Sequence, residues 1–123
     1  MIISKGGLYF TKVEDTRESD TGTILLENAR TNSISFFSLS KTGFSLLTQR
    51  KISLPDKYKA EYKDSHAVIT CLNLDIKQDL SNVLNKNKSL EIHSEYCSCG
   101  KVLRIICPEG EVESIIRILH DLG

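Results

Sequence analysis

Cysteine and histidine side chains near the C-terminal end of the sequence are the first candidates for chemistry. Cys97 and Cys99 are separated by one residue, and His93 and Cys107 lie nearby along the chain. Zinc needs three or four such ligands that converge tetrahedrally, and structural sites commonly use two cysteines separated by two residues. Alternation along a strand places Cys97 on one face, while Cys99 falls inside a turn. The spacing therefore favours packed or turn cysteines over a metal site, and we predict no bound metal and no cofactor.

Nucleophilic catalysis by a thiol is the second chemistry that these residue types allow. Cys99 stands beside Gly100 in the expected turn, and the neighbouring Lys101 would favour its thiolate form. A cysteine nucleophile also needs a positioned base, and His93 or His66 is the nearest choice, with nothing in the sequence to fix its geometry. The glycine spacings of phosphate-binding loops are missing from the chain. We therefore predict that the protein is not an enzyme.

Charge and composition place the chain among neutral globular proteins. It has 123 residues, of which sixteen are basic and sixteen acidic, so the formal net charge is zero. Hydrophobic residues make up 40% and charged residues 26% of the chain, which is the balance of a folded domain. A neutral chain lacks the basic excess of nucleic-acid-binding proteins and is not attracted to anionic membranes. We expect a single domain over residues 1–123, with no nucleic acid and no membrane insertion among its interactions.

The N-terminal residues and the cysteines both indicate a reducing compartment. The first ten residues lack the apolar run of about seven residues and the small-residue cleavage site of a secretory signal. No stretch approaches the roughly eighteen apolar residues that span a bilayer. Cys71 and Cys107 lie inside apolar segments, where a thiol acts as a small hydrophobic group. We therefore expect a soluble cytoplasmic protein with reduced thiols.

Strand-forming residues dominate the first three-quarters of the chain. Gly6 and Gly7 indicate a bulge or bend in the first strand, and Gly43 closes a hairpin turn at a position that favours positive φ. β-Branched and aromatic residues predict five strands, over residues 2–13, 23–28, 34–39, 44–54 and 67–74.

Two polar segments separate these strands. Residues 14–22 are unpatterned and end near a glycine, which predicts a loop. Residues 55–65 are charged and are also predicted as a loop, although Tyr58 and Tyr62 have the spacing of one helical turn.

The hydrophobic period changes from two to 3.6 in the last third of the chain. Apolar residues at i, i+4, i+7 and i+8 predict a helix over residues 76–86. Alternation then predicts strands over residues 90–97 and 101–107, joined by a tight turn into a hairpin. A second apolar stripe predicts a closing amphipathic helix, formed by Val112, Ile115, Ile116, Leu119 and Leu122.

This order of elements fits two α+β architectures. About seven, mostly antiparallel, strands with one internal helix and a C-terminal amphipathic helix on the sheet resemble the pleckstrin-homology-like superfold, a sandwich or barrel. Alternatively, the segment from Ala67 to Leu122 resembles the βαββα order of the ferredoxin-like or ACT-type fold, with the N-terminal strands extending the sheet or forming a subdomain. The first arrangement is preferred because it places the N-terminal half in the same core.

Two predicted strands carry apolar residues on both faces. Phe36 and Phe37 are adjacent, so on a strand they point to opposite faces, and Leu46 and Leu47 do the same in the next strand. A strand without a polar face is covered on both sides, either inside a sandwich or by a partner. We therefore predict that Phe36, Phe37 and Leu47 belong to a partner-binding surface.

The two-faced strands and the missing catalytic spacings together favour a non-enzymatic protein-interaction domain, used as an adaptor, an assembly subunit or an inhibitory partner. Another protein or a second copy of the chain would bind at a sheet edge or at the apolar strand face. The alternative follows from the ACT-type resemblance, which implies a regulatory domain that senses a small-molecule effector.

Overall fold

The computed structural model describes residues 2–15, 18–72, 90–98 and 100–122. The registered strand pairs are antiparallel, which confirms the predicted α+β class with a mostly antiparallel sheet. The predicted helix over residues 76–86 lies outside the described residues. In chain order the elements are β1 (Ile2–Glu14), α1 (Glu18–Thr31), β2 (Ile34–Leu39), β3 (Gly43–Thr48), β4 (Lys59–Leu72), β5 (Glu91–Cys97), β6 (Gly100–Pro108), one 3-10 turn (Glu109–Glu111) and α2 (Val112–Leu122).

The backbone divides into two compact units, each described here by itself. The inserted unit is the continuous segment Gly7–Ser65, and the outer unit combines Met1–Gly6 with His66–Gly123. The inserted unit has the order β1, α1, β2, β3, and the outer unit ends with β5, β6 and α2. Six strands fall within the described residues, so the count of about seven and the single domain over residues 1–123 stay predictions.

The core of the inserted unit lies between α1 and three antiparallel strands in the order β2-β3-β1. Val13 of β1 pairs with Phe44 of β3, so both side chains point to the same face of the sheet. Ile24 of α1 packs against that face, and all three side chains are buried. The helix is therefore held by apolar burial against β1 and β3.

The opposite face of the same three strands is also apolar. Leu47 of β3 pairs with Phe10 of β1 on one side and with Phe36 of β2 on the other. All three side chains are buried, as is Leu46 on the helix side. The prediction that the adjacent leucines make both faces of this strand apolar is therefore confirmed.

Helix α1 lies where the sequence predicted a loop followed by a strand. The predicted loop over residues 14–22 and the predicted strand over residues 23–28 are both wrong, because the chain is helical from Glu18 to Thr31. From residue 20 to the end of α1, where burial is described, two of the three buried positions are polar, which interrupts the apolar 3.6 period on which a helix prediction depends. These buried positions are Thr21, Ile24 and Asn28.

Hydrogen bonds explain how a polar side chain can occupy the buried face of α1. The side-chain amide of Asn28 donates to the Ile24 carbonyl at 2.9 Å, and its oxygen accepts the Ser53 N–H at 3.3 Å. Because both ends of the amide are satisfied, burial of Asn28 avoids the cost of an unpaired polar group.

The boundaries of β3 and β4 also differ from the sequence prediction. β3 ends at Thr48 rather than at residue 54, and the Thr48 hydroxyl donates to the Arg50 carbonyl at 2.6 Å, just beyond the strand. β4 begins at Lys59, so residues 59–65 are strand and not loop. Most of their side chains are exposed, and an exposed strand lacks the apolar alternation that identifies strands in a sequence.

The outer unit packs α2 on the strands β4, β6 and β5, which are neighbours in that order. The predicted hairpin and the predicted closing helix are confirmed by β5, β6 and α2. Neither described helix is long and apolar enough to cross a membrane. Alternate residues of paired strands face α2, and with it they form a core of Ala67, Ile69, Cys71, Leu103, Ile105, Cys107, Ile115 and Leu119.

The sequence predicts a bend at Gly6 and Gly7 and a positive φ at Gly43, and the structure gives a different result at each place. Gly7 has a φ of 67°, in the left-handed region, and this fits the bend predicted at Gly6 and Gly7. The prediction that Gly43 needs positive φ is wrong, because its φ lies outside that region. Instead, a side chain at Gly43 would collide with the main chain of Val13 on the paired strand β1.

Candidate functional site

A polar groove in the inserted unit is the first candidate for a binding site. It lies between the C-terminal end of β1 and the beginning of β4 and has a volume of about 190 Å³. β1 contributes Lys12 and Glu14, and β4 contributes Lys59, Ala60 and Glu61. Antiparallel pairing of β1 with β3 fixes the β1 residues, because Lys12 pairs with Ser45 and Glu14 with Gly43.

Both signs of charge surround this groove. Two ammonium groups and two carboxylates line it, and Ala60 supplies the one apolar side chain. The Lys12 ammonium lies 5.5 Å from the centroid of the Phe10 ring, which holds it beside the strand. Glu61 pairs with Lys63 at 3.4 Å, and both side chains are largely exposed. The groove is therefore suited to a small polar molecule that carries a positive and a negative group.

The outer strand β2 of the inserted unit is the second candidate. Phe37 pairs with Leu46, and Leu39 pairs with Phe44, on the face that carries α1. Phe37 is 39% exposed and Leu39 is 58% exposed, although the Phe37 ring lies 6.3 Å from that of Phe44. An outer strand with accessible apolar side chains can bind another strand through its main chain.

The structure separates the three residues predicted to bind a partner. Phe37 is accessible on the outer strand, whereas Phe36 and Leu47 are buried on the other face of the sheet, at 6% and 0% exposure. Within this chain, therefore, Phe37 alone of the three is presented to a partner. The role of all three in partner binding stays a prediction.

The histidine and cysteine candidates for a metal site do not converge in the described part of the chain. His93 pairs with Arg104 across the β5–β6 hairpin, whereas Cys107 is three residues further along β6 and so points to the opposite face. Across the described residues, no three histidine, cysteine, aspartate or glutamate side chains are grouped as metal ligands. The side chain of Cys97 and all of Cys99 lie outside the described residues.

The face of the β5–β6 hairpin that carries His93 combines polar side chains with the buried apolar side chains of Val102 and Ile106. His93 Nε2 lies 3.5 Å from a carboxylate oxygen of Glu91, and Arg104 lies 3.2 Å from Glu95. All four side chains are partly or largely exposed, and exposed pairs of this kind contribute little to stability. These four residues are therefore polar neighbours of buried apolar side chains on the same face of the hairpin.

The two described cysteine side chains are buried, as the sequence predicted, and both are free thiols. Burial raises the pKa of Cys71, and burial together with the Glu111 carboxylate raises the pKa of Cys107 to about 11. Because the thiolate is the nucleophile and the metal ligand, neither residue is poised for such chemistry near neutral pH.

The raised pKa of Cys107 predicts a loss of stability in alkali. Between pH 9 and about 11 an unfolded chain ionises this thiol, whereas the folded chain retains the proton. The free energy of unfolding should therefore fall by about 2 to 3 kcal/mol over that interval, since one pKa unit corresponds to about 1.4 kcal/mol. This part of the stability is fully present below pH 9. Urea unfolding at several pH values should show a shallower decline for Cys107→Ala, and an equal decline in both proteins would contradict the prediction.

The groove residues were not indicated by the sequence analysis. Lys59, Ala60 and Glu61 lie in a segment predicted as a loop, and Glu14 lies at the predicted start of another. The sequence feature that could have indicated the groove is the presence of lysine and glutamate near each other at the end of β1 and again at the start of β4. Recognising it requires knowing that β1 and β4 contribute to one groove.

The chain is similar in structure to regulatory parts of aspartate kinases. A structure described as a candidate C-terminal regulatory domain of aspartate kinase from Porphyromonas gingivalis W83 has a TM-score of 0.74 at 14% identity, covering 99% of this chain and 95% of that one. The ligand-free regulatory subunit of aspartate kinase from Thermus thermophilus has a TM-score of 0.60 at 9% identity, covering 98% and 95%.

A longer enzyme contains the same arrangement. Aspartokinase III from E. coli, solved in complex with lysine and aspartate, has a TM-score of 0.63 at 13% identity over 98% of this chain, which spans 32% of the length of that protein. No protein-family model matches the sequence, and no curated protein matches it significantly.

At these identities the likeness shows a shared fold. It agrees with the ACT-type alternative of the sequence analysis, since the similar structures are regulatory domains of aspartate kinase. The pleckstrin-homology-like interpretation gains no support from these structures.

Proposed function

We propose that this chain is a non-catalytic regulatory domain of the ACT type, which binds a small-molecule effector. The groove of the inserted unit carries this proposal, because it is lined by charged side chains of both signs. The fold shared with aspartate kinase regulatory domains supports the same function.

The charges of the groove favour a zwitterionic effector. A free amino acid carries an ammonium and a carboxylate a few ångströms apart, and these can pair with Glu14 or Glu61 and with Lys12 or Lys59. A volume of about 190 Å³ is sufficient for a molecule of that size. Aspartokinase III was solved with lysine and aspartate, which makes these two amino acids the first probes.

Thermal unfolding in the presence of amino acids tests this proposal. A ligand at about one hundred times its Kd stabilises the folded state by about 2.7 kcal/mol, so lysine or aspartate should raise the Tm by several degrees in a saturable manner. Acetate and methylamine, which carry one charge each, are matched control ligands and should have little effect.

A pair of charge reversals locates the bound effector. Lys59→Glu should abolish the thermal shift, because it removes one of the two ammonium groups from the groove. Lys41→Glu changes an exposed lysine in the turn between β2 and β3 and should preserve the shift. An unchanged Tm with all amino acids, or an equal response of the two variants, would refute binding at the groove.

Protein binding through β2 is a second candidate function, favoured by the exposed Phe37 and Leu39 on an outer strand. A second copy of the chain, or another protein, would pair its own strand with β2. This function corresponds to the adaptor, assembly or inhibitory role that the sequence favoured. It is compatible with effector binding, because the groove uses β1 and β4.

A further inference from the structure

The segment between β3 and β4, residues 49–58, crosses beside α1 and is called the strap below. Its first part is fixed by Asn32, which follows the last turn of α1. The Asn32 amide donates to the Arg50 carbonyl at 2.6 Å, and its oxygen accepts the Arg50 N–H at 2.9 Å. The Thr48 hydroxyl donates to the same carbonyl. The main chain of Arg50 is therefore held by three hydrogen bonds from two side chains.

The rest of the strap is anchored along α1. Ser53 donates its N–H to Asn28, and Ile52 is buried in the core of the inserted unit. Asp20, in the first turns of α1, lies near the Tyr58 phenol, and this carboxylate together with burial raises the pKa of Tyr58 above its ordinary value. The strap ends in a turn in which Tyr58 donates its N–H to the Pro55 carbonyl at 3.2 Å, so contacts at its beginning, middle and end fix its course.

The exposed charged side chains of the strap are mostly basic. Arg50, Lys51 and Lys57 are exposed, and Asp56 is the one acidic residue of the strap. Arg30, in the last turn of α1, adds a fourth exposed cation close to Asn32. Among the described residues, none of these four cations forms an ion pair.

Tyrosine rings support two of the cations. The Lys51 ammonium lies 4.6 Å from the centroid of the Tyr62 ring, and the Lys57 ammonium lies 5.0 Å from that of Tyr58. A lysine held over an aromatic face loses less freedom when it pairs with an incoming anion. The cations are therefore partly arranged before any partner binds.

We propose that the strap is a docking surface for an acidic segment of a partner protein. The net charge of zero conceals an uneven distribution, in which three basic residues and one acidic residue lie on the strap. The exposed cations are distributed over residues 50–57, so that several carboxylates of one acidic segment can pair with them at the same time. No residue of the strap is among those that line the proposed effector groove, which belong to β1 and β4.

Fluorescence anisotropy with a labelled decaglutamate peptide tests the proposal on the full chain. At low ionic strength we expect saturable binding, which should weaken by about tenfold when salt is raised from about 20 to about 300 mM. The double variant Arg50→Glu, Lys51→Glu should weaken it by at least about tenfold, because two attractive contacts become repulsive. Lys41→Glu, a charge reversal elsewhere on the same unit, should change it less than about twofold.

Circular dichroism melts should show both variants folded, since the hydrogen bonds that hold the strap at Arg50 join its main chain, which a change of side chain leaves in place. Absence of saturable binding would overturn the proposal, as would an equal loss with Lys41→Glu. Tighter binding of a single-stranded oligonucleotide of matched charge would also overturn it, because the surface would then serve nucleic acid.

Discussion

Gly43→Ala should destabilise the protein by about 3 kcal/mol. A Cβ at this position collides with the carbonyl of Val13 on the paired strand, and a backbone atom cannot move aside without breaking the β1–β3 register. The loss should appear in urea unfolding as a lower midpoint with an unchanged dependence on denaturant.

Gly22→Ala is the matched control for this substitution. Gly22 is exposed within α1, and a Cβ there meets nothing within 4 Å. Alanine favours helix over glycine, so this variant should gain about 0.5 to 1 kcal/mol. If Gly43→Ala were as stable as the unaltered protein, the close pairing of β1 and β3 described above would be wrong.

Leu47→Ala should cost about 3 kcal/mol of folding free energy. Leu47 is fully buried between Phe10 and Phe36, so truncation removes apolar contacts on both sides and leaves a cavity. Chemical denaturation monitored by circular dichroism should report the loss.

Phe37→Ala separates the two roles that the sequence assigned to this group of residues. Phe37 is partly exposed on the outer strand, so its truncation should cost about 1 kcal/mol or less. If β2 binds a partner or a second copy, the same variant should weaken that association, measured as the mass in solution. A large loss of stability in Phe37→Ala and none in Leu47→Ala would contradict the placement of these side chains.

In the described part of the outer unit, the regular spacing of apolar residues was sufficient to predict the secondary structure. The stripe over Val112–Leu122 and the alternation before and after the β5–β6 turn predicted α2 and the hairpin at nearly their observed bounds. In these elements the buried positions are apolar, so burial and sequence carry the same information.

The inserted unit shows where this correspondence fails. The buried face of α1 includes Thr21 and Asn28, and the hydrogen bond that Asn28 accepts from Ser53, 25 residues away along the chain, depends on tertiary structure. The first part of β4 is mostly exposed and therefore has no apolar alternation. In both cases long-range contacts, and not local preference, decide the secondary structure.

At the candidate binding sites too, some features could be predicted from local sequence, and others depend on long-range contacts. Adjacent phenylalanines indicated a two-faced strand correctly, yet the sequence could not tell which of Phe36 and Phe37 is accessible. That depends on β2 being an outer strand, which is a property of the sheet order. The candidate groove joins residues of β1 and β4 that are more than forty positions apart, so its charges meet only in the folded chain.

The central claim is that a small zwitterion binds the groove of the inserted unit, and an NMR titration tests it most directly. Lysine or aspartate, added to ¹⁵N-labelled protein up to about ten times a millimolar Kd, should shift amide resonances in a saturable manner. The largest shifts should fall on Lys12, Glu14, Lys59, Ala60 and Glu61. Unchanged spectra for both amino acids, or shifts confined to residues outside the groove, would contradict the account.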